Sequence, residues 1–254
     1  MIRGGRRTGL PAFALLIGAS GCARATLPPP VLGPPSPDAV AAPPPPAPPP
    51  EPAAPPAAPP DIDLIYFVMV DRFFNGDPSN DGETNLGDPH AFHGGDLTGI
   101  RDKLDYLADL GVSTLWLSPV FEMRTDKVGE WGAFHGYWVK DLARVEPRFG
   151  TERDLRDLAR DLHERDMTLV LDMVWNHTDY EAPLRAEHPE WYHQRGDIED
   201  WDDPTQVVEG DVHGLPDLAQ EQPAVAAYLR DTSLGWIDRV GADGFRVDAV
   251  RHMP

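Results

Sequence analysis

The chain has 254 residues and a single cysteine, Cys22, so no internal disulfide can form. It is also poor in positive charge. Lysine and arginine together number 22 against 42 aspartates and glutamates, a net charge of −20 at neutral pH. A surface of that sign argues against a nucleic-acid partner, because phosphate binding needs basic side chains. No internal repeat is evident. The apolar run near the start, LPAFALLIGA, is too short to span a membrane as a mature helix. What remains is an acidic chain with ordinary apolar content, enough for a core, and a length that allows one large domain or two small ones. The acidity reads in two ways: as plain solubility, or as clusters of Asp and Asn that hold a hard cation such as calcium.

Residues 1–22 read as an export signal. Arg3, Arg6 and Arg7 make a basic start, the apolar run follows, and ASGC brings small residues before the cysteine. That order is similar to a bacterial lipobox with Cys22 as the lipidated residue, although Ala19 stands where leucine is usual. An ordinary signal peptide with a coincidental cysteine is the alternative. Residues 23–60 read as a linker, dominated from 28 to 60 by proline and alanine, as in AAPPPPAPPPEPAAPPAAPP, a composition from which no core forms. A polyproline helix rises about 3.1 Å per residue, so about 33 residues reach roughly 100 Å. After a lipid anchor such a segment is a stalk; the other reading is a ligand for a proline-recognising domain. The expected location is the bacterial cell envelope through a lipid on Cys22, or the medium.

The pattern changes at Asp61. LIYFVMV is a continuous apolar run of strand length, suited to a strand buried on both faces. DLTGIRDKLDYLADLG has Leu97, Ile100, Leu104, Leu107 and Leu110 at helical spacing and ends on Gly111. VSTLWLSPV is a second buried strand, and TERDLRDLARDLHERD a second helix with Thr151 as its N-cap. MTLVLDMV, PAVAAYLRDTSLGWIDRVG and GFRVDAV continue as strand, helix and strand. Strands alternating with helices predict parallel βαβ units. Between the third strand and the third helix, residues 178–214 are rich in Trp, His and Asp, and a connection of that length is functional or a small inserted domain.

Charge gathers where strands end. Asp172 closes the third strand, with Asn176 and His177 just after it in DMVWNH; Arg246 and Asp248 lie on the fourth, with His252 beyond. Two residues apart on a strand, Arg246 and Asp248 point the same way. In a parallel α/β barrel such ends meet at one face, where catalytic groups collect. Taken singly each has a structural reading. An aspartate at a strand end caps a helix, and Arg246–Asp248 is an ordinary ion pair.

DMVWNH and GFRVDAVRH resemble two signature regions of the α-amylase family of glycoside hydrolases (family 13). LPDL at Leu215–Leu218, HGYW at His135–Trp138 and HGGDLTGI at His93–Ile100 are similar to further family motifs. Cyclodextrin glucanotransferases and cyclomaltodextrinases look closest, over residues from about Ile65 onward. The resemblance implies a (β/α)8 TIM barrel, of which residues 61–254 supply the part up to about the fourth strand, with 178–214 as a short B-domain-like insertion. It implies action on α-glucosidic bonds of starch-like or maltooligosaccharide substrates by a retaining mechanism through a covalent glycosyl intermediate. Asp248 matches the nucleophile, and the charge of Arg246 favours its ionised form. Asp172 would orient that arginine. Tyr137 matches a platform for the sugar ring, and His177 and His252 match histidines that hydrogen-bond sugar hydroxyls. His135 and Arg251 complete the substrate-side set. For Tyr137 and Trp138, core packing is the competing reading.

Calcium is the implied cofactor. The loop NGDPSND offers Asn75, Asp77, Asn80 and Asp81, and the following GGD adds Gly94 through its carbonyl and Asp96. Six to eight oxygens of this mixture suit calcium, although Asn, Asp and Gly also make turns without metal. A second site would use Asn176, Asp217 and the carbonyl of His252. The resemblance further implies that the general acid follows a fifth strand, so the chain alone is expected to be inactive. A non-catalytic sugar-binding or scaffold lipoprotein derived from such an enzyme is the alternative function.

Overall fold

The computed structural model describes residues 63–254. The expected export signal, the expected lipidation at Cys22 and the expected proline-rich stalk lie outside the described residues. Among these, the strands and helices run in chain order β1 (Ile65–Val68), α1 (Val70–Phe73), α2 (Leu97–Arg101), α3 (Leu104–Asp109), β2 (Thr114–Leu117), β3 (Phe121–Met123), β4 (Val139–Val145), α4 (Glu152–His163), β5 (Thr168–Met173), α5 (Pro183–Glu187), α6 (Pro204–Glu209), α7 (Pro223–Val240) and β6 (Gly244–Val247). Single 3-10 turns occupy Pro189–Trp191 and Val250–His252.

The four strands expected from apolar runs form one parallel sheet in the order β1-β2-β5-β6. Its two faces differ. Leu115, Leu117, Leu169, Leu171 and Met173 are buried in the main hydrophobic core, which also holds apolar side chains of α2, α3, α4 and α7. The alternate residues lie on the other face, where the register places Phe67 opposite Trp116, Trp116 opposite Val170, and Asp172 opposite Arg246. The reading of LIYFVMV as buried on both faces is therefore corrected. Ile65 is 60% and Phe67 38% exposed, because β1 is an edge strand and these side chains lie on the less covered face.

Local chemistry sets the helix ends. Thr151 and Asp154 form a reciprocal capping box at the start of α4, worth about 1 kcal/mol over an alanine cap. α7 stops at Gly241, whose φ of 80° is left-handed and suits glycine. Trp236 of α7 is fully buried, and its indole N–H donates to the carbonyl of Leu142 at 3.0 Å. That bond ties the helix to an antiparallel hairpin, β3–β4, which apolar periodicity did not reveal. The single helix expected over 96–111 is two, because Lys103, with ψ near 8°, leaves the helical conformation. The strand expected over 244–250 stops at Val247. Ala249 then turns through φ 53° into the last 3-10 turn.

The segment 178–214 has structure of its own. It carries α5, α6 and a 3-10 turn, and isolated bridges pair Tyr192 with Leu218 and Asp197 with Asp211. The buried pair Arg124–Asp179, at 3.2 Å, and the bond from Asp179 N–H to the Val139 carbonyl fasten its start to the hairpin.

Candidate active site

Three adjacent parallel strands deliver the polar cluster. β5 brings Asp172 and β6 brings Arg246, directly opposite in register. Asp248 follows one residue past the end of β6, its backbone N–H held by the Met173 carbonyl at 2.9 Å. Arg246 Nη1 donates to both carboxylates: to Asp172 Oδ1 at 3.0 Å and to Asp248 Oδ1 at 2.6 Å. One guanidinium nitrogen thus bridges two acids. Such charge-assisted bonds are the short, strong kind.

Asp172 is almost fully buried and receives two more donors on Oδ2. The Tyr137 hydroxyl donates at 2.9 Å and the Trp116 indole N–H, from β2, at 3.0 Å. Burial pushes the Asp172 carboxyl above its ordinary value, and the bonds from Arg246 and Tyr137 work against that. Burial, followed by the charge of Asp172, raises the Tyr137 hydroxyl, so it remains a donor. Although burial opposes it, the bonds to Asp172 and Asp248 hold the Arg246 guanidinium above its usual value. Asp248 accepts only the Arg246 bond among the described side chains and is less buried than Asp172. Chemically the cluster is an anchored acid, a cation locked by it, and a second carboxylate left open to a reacting partner.

HGYW enters this cluster just before β4. Tyr137 lies over His135 in a near-parallel stack at 5.9 Å, and Trp138 meets His135 and Tyr180 edge-on. Tyr137 and Trp138 both pack on the core, so the packing reading describes Trp138, whereas Tyr137 packs and also bonds Asp172. His177 is buried, with Nε2 at 3.1 Å from the Tyr137 carbonyl and Nδ1 at 3.5 Å from the Asn176 amide; its ring contacts are with protein groups. His252 is held through Nδ1 by the Val207 carbonyl at 2.8 Å and lies edge-on to Trp201, while the exposed Arg251 reaches the Trp201 carbonyl. Both therefore join the inserted segment, through Trp201, to the turn after β6.

His135 yields a pH prediction. Burial, then the neighbouring His177 and Arg72, lowers its pKa from 6.5 to about 4, and its Nδ1 accepts the Tyr137 backbone N–H at 3.0 Å. The fold favours the neutral ring. That contribution is complete above the unfolded value and is lost as pH falls from about 6.5 towards about 4, up to about 3 kcal/mol. Urea unfolding of His135→Asn should show a flatter loss of stability over that window than the unsubstituted chain. Parallel curves would contradict the assignment.

Two oxygen-rich places suit a hard cation, as judged by buried oxygens that lack partners. Asn75 Nδ2 donates to both oxygens of Asp81 at 2.8 Å, leaving Asn75 Oδ1 buried and unbonded, as is Asn80 Oδ1. Gly94, at φ 89°, closes on them; a Cβ there would stand 2.8 Å from Asp81 Oδ1. The other two residues of this set are already engaged. Asp96 caps α2 and accepts the N–H groups of Gly76, Asp77 and Gly99, and the half-buried Asp77 closes a turn onto Ser79. At the second place Asn176 Oδ1 and Asp217 Oδ1 are buried and unbonded, and the bridge His177–Asp217 brings the two segments together. Burial pushes Asp217 up to about 7, against the lowering effect of His193. No hydrogen bond or ion pair among the described residues links His252 to this pair. Among the described residues no three His, Cys, Asp or Glu side chains converge on one point, so both places depend on amide and carbonyl oxygens. An uncompensated buried oxygen is costly unless a ligand satisfies it, and the donor set fits calcium.

Sequence reasoning missed Trp116. It sits inside an apolar run and reads as core; its position on the face shared with Asp172 and Arg246 emerges only from the register.

A family model described as "Alpha amylase, catalytic domain" matches residues 67–201, a stretch that contains Trp116, Tyr137 and Asp172 and stops short of Arg246 and Asp248. A beta/alpha-amylase of Paenibacillus polymyxa is 38% identical over 204 residues, covering 75% of this chain and 17% of that protein. A cyclomaltodextrin glucanotransferase of Klebsiella oxytoca is 38% identical over 74% of this chain and 33% of its own length. Among solved structures, an α-amylase from Anoxybacillus superposes with a TM-score of 0.71 at 46% identity, over 76% of this chain and 42% of the other. An α-amylase from Geobacillus thermoleovorans, complexed with acarbose, superposes with a TM-score of 0.69 at 44% identity, over 76% and 41%. The chain thus spans less than half the length of each of these relatives.

Proposed function

This chain belongs to the α-amylase family of glycoside hydrolases, and we propose that residues 63–254 carry the nucleophile side of a retaining active site for α-glucans. The observation that carries this reading is the bridge of Arg246 between the buried Asp172 and the more open Asp248. Asp248 attacks the anomeric carbon, the glycosidic bond breaks, and a glycosyl ester forms on its carboxylate. Arg246 orients that carboxylate through its hydrogen bond, and Asp172 holds Arg246. Tyr137 offers a ring face to the pyranose at the cleavage point, and His135, His177, Arg251 and His252 contribute to the substrate side.

A proton donor for the leaving oxygen is also needed. Asp172 does not suit that role, because its oxygens already accept from Arg246, Tyr137 and Trp116. We assign the acid to a carboxyl group outside residues 63–254, in keeping with the greater length of the relatives. A fluoride leaving group needs no proton, so the two requirements can be separated. The chain should release fluoride from α-maltosyl fluoride while liberating little reducing sugar from maltoheptaose or starch. Turnover of maltoheptaose would place the acid within the chain, and failure on the fluoride in a folded preparation would contradict the nucleophile assignment.

Calcium is proposed at both places described above. Asn75, Asn80, Asp81 and Gly94, with Asp77 and Asp96 around them, would hold one ion; Asn176 and Asp217, with the His252 carbonyl, the other. When bound, calcium would neutralise the buried carboxylates and fix the two segments that flank the sheet ends.

We also propose that Cys22 becomes the lipid-bearing N-terminus of an envelope-anchored protein, supported by a lone cysteine after a basic-then-apolar segment. Mass spectrometry of membrane fractions should find a diacylated or triacylated Cys22. An unmodified terminus beyond Ala23, in a soluble fraction, would exclude it.

A further inference from the structure

We propose that Trp116 is a positioning residue of this site: its indole N–H and its ring together hold Asp172 and Arg246 in the arrangement that aims Arg246 at Asp248. The inference rests on the reading of Asp248 as nucleophile for its functional meaning, but not for its test. Three observations converge. Trp116 Nε1 donates to Asp172 Oδ2 at 3.0 Å. The Arg246 guanidinium lies 5.1 Å from the centre of the Trp116 ring. Phe67, from the neighbouring strand, packs on that ring at 4.5 Å and fixes its tilt. One side chain therefore contacts both members of the ion pair, from a strand that contributes no charge to it.

The geometry gives Trp116 a role beyond filling space. Among the described contacts Asp172 has no backbone N–H donor at its carboxylate; Arg246, Tyr137 and Trp116 alone hold it. Arg246 Nη1 is shared between Asp172 and Asp248, and the Tyr137 hydroxyl rotates about its C–O bond. The indole N–H is fixed by the ring plane. It holds Asp172 Oδ2 while both carboxylate oxygens stay within reach of Arg246 Nη1, Oδ1 at 3.0 Å and Oδ2 at 3.2 Å. The ring face below the guanidinium favours the cation over water by a cation–π contact. Both contacts favour the arrangement in which the Arg246 guanidinium is shared between the two carboxylates.

Nuclear magnetic resonance on the 254-residue chain tests this without any need for turnover. With tryptophan labelled at the indole nitrogen, Trp116→Phe identifies its cross-peak by deletion. That cross-peak should lie downfield at neutral pH and move upfield as Asp172 is protonated, and Asp172→Asn should abolish the movement. With aspartate labelled at the carboxyl carbon, Trp116→Phe should raise the Asp172 titration midpoint by about one unit, the size expected for losing one hydrogen bond to a charged group. If Trp116→Phe does not fold, Trp116→Tyr identifies the cross-peak by deletion in its place, and Asp172→Asn, which keeps the tryptophan, then decides the question. A Trp116 cross-peak that ignores pH, or that shifts equally in Asp172→Asn, would overturn the proposal. Fluoride release from α-maltosyl fluoride, measured on the same samples, separates the two readings. A coupled Trp116–Asp172 pair in a chain that never releases fluoride would keep the positioning contact and remove its catalytic meaning.

Discussion

Asp248→Asn is expected to lower fluoride release from α-maltosyl fluoride by at least about 10³-fold, with no change in circular dichroism or melting temperature. The substitution removes the anionic oxygen that forms the new bond and nearly preserves shape. Residues of a catalytic set that act as a unit usually lose most of the rate when one is removed. The fold should tolerate it for a local reason. The Asn carbonyl can still accept the Arg246 bond, and Arg246 remains anchored by Asp172 at 3.0 Å. Asp172→Asn should behave differently. It leaves the Arg246 guanidinium without its buried counter-charge and should cost stability as well as rate. A variant at position 248 that keeps more than a tenth of the rate would remove Asp248 from the role of nucleophile.

The second large effect concerns calcium. Chelation is expected to lower the melting temperature by about 5–10 °C, since an ion bound at about 100 times its dissociation constant stabilises by about 2.7 kcal/mol, and a domain of this size shifts by roughly 2–4 °C per kcal/mol. The structure separates the variants. Asn80→Ala removes an oxygen that is buried and unbonded without calcium, so it should lose only the calcium-dependent part, whereas Asn176→Ala also removes the amide beside His177 Nδ1 and should cost some stability in chelator as well. Asp96→Ala should destabilise even in chelator, because its carboxylate caps α2 and gathers three backbone N–H groups. Asp77→Ala should matter least, its carboxylate being already closed onto its near neighbour Ser79. A melting temperature indifferent to chelation, with no calcium found by elemental analysis, would leave those buried oxygens unexplained and refute both sites.

Much of this was legible in the residues. Apolar runs placed β1, β2, β5 and β6, and Thr151 placed the start of α4, because strand burial and capping are local chemistry. Asp172, Arg246 and Asp248 stood out because charge at the end of an apolar strand demands a reason. What periodicity did not show depends on non-local pairing. The β3–β4 hairpin is short and carries register shifts, so it leaves no period-2 signature, yet it positions Tyr137 beside Asp172. Trp116 looked like core because only register reveals which face of β2 meets Asp172. The exposure of Ile65 and Phe67 was misjudged for the same reason, since an apolar run does not say whether both faces are covered. His177 and His252 were found from their neighbours in motifs, and the structure joins them to the Tyr137 carbonyl and the Val207 carbonyl.

The most direct measurement is to trap the intermediate. A 5-fluoro-α-glucosyl fluoride forms the ester without a proton donor, and its ring fluorine slows the second step by opposing positive charge at the anomeric centre. Incubated with the chain, digested and sequenced by mass spectrometry, it should leave one fluoroglucosyl unit on the peptide containing Asp248 and none in Asp248→Asn. A label on another carboxylate, or an equal label in both proteins, would contradict the account.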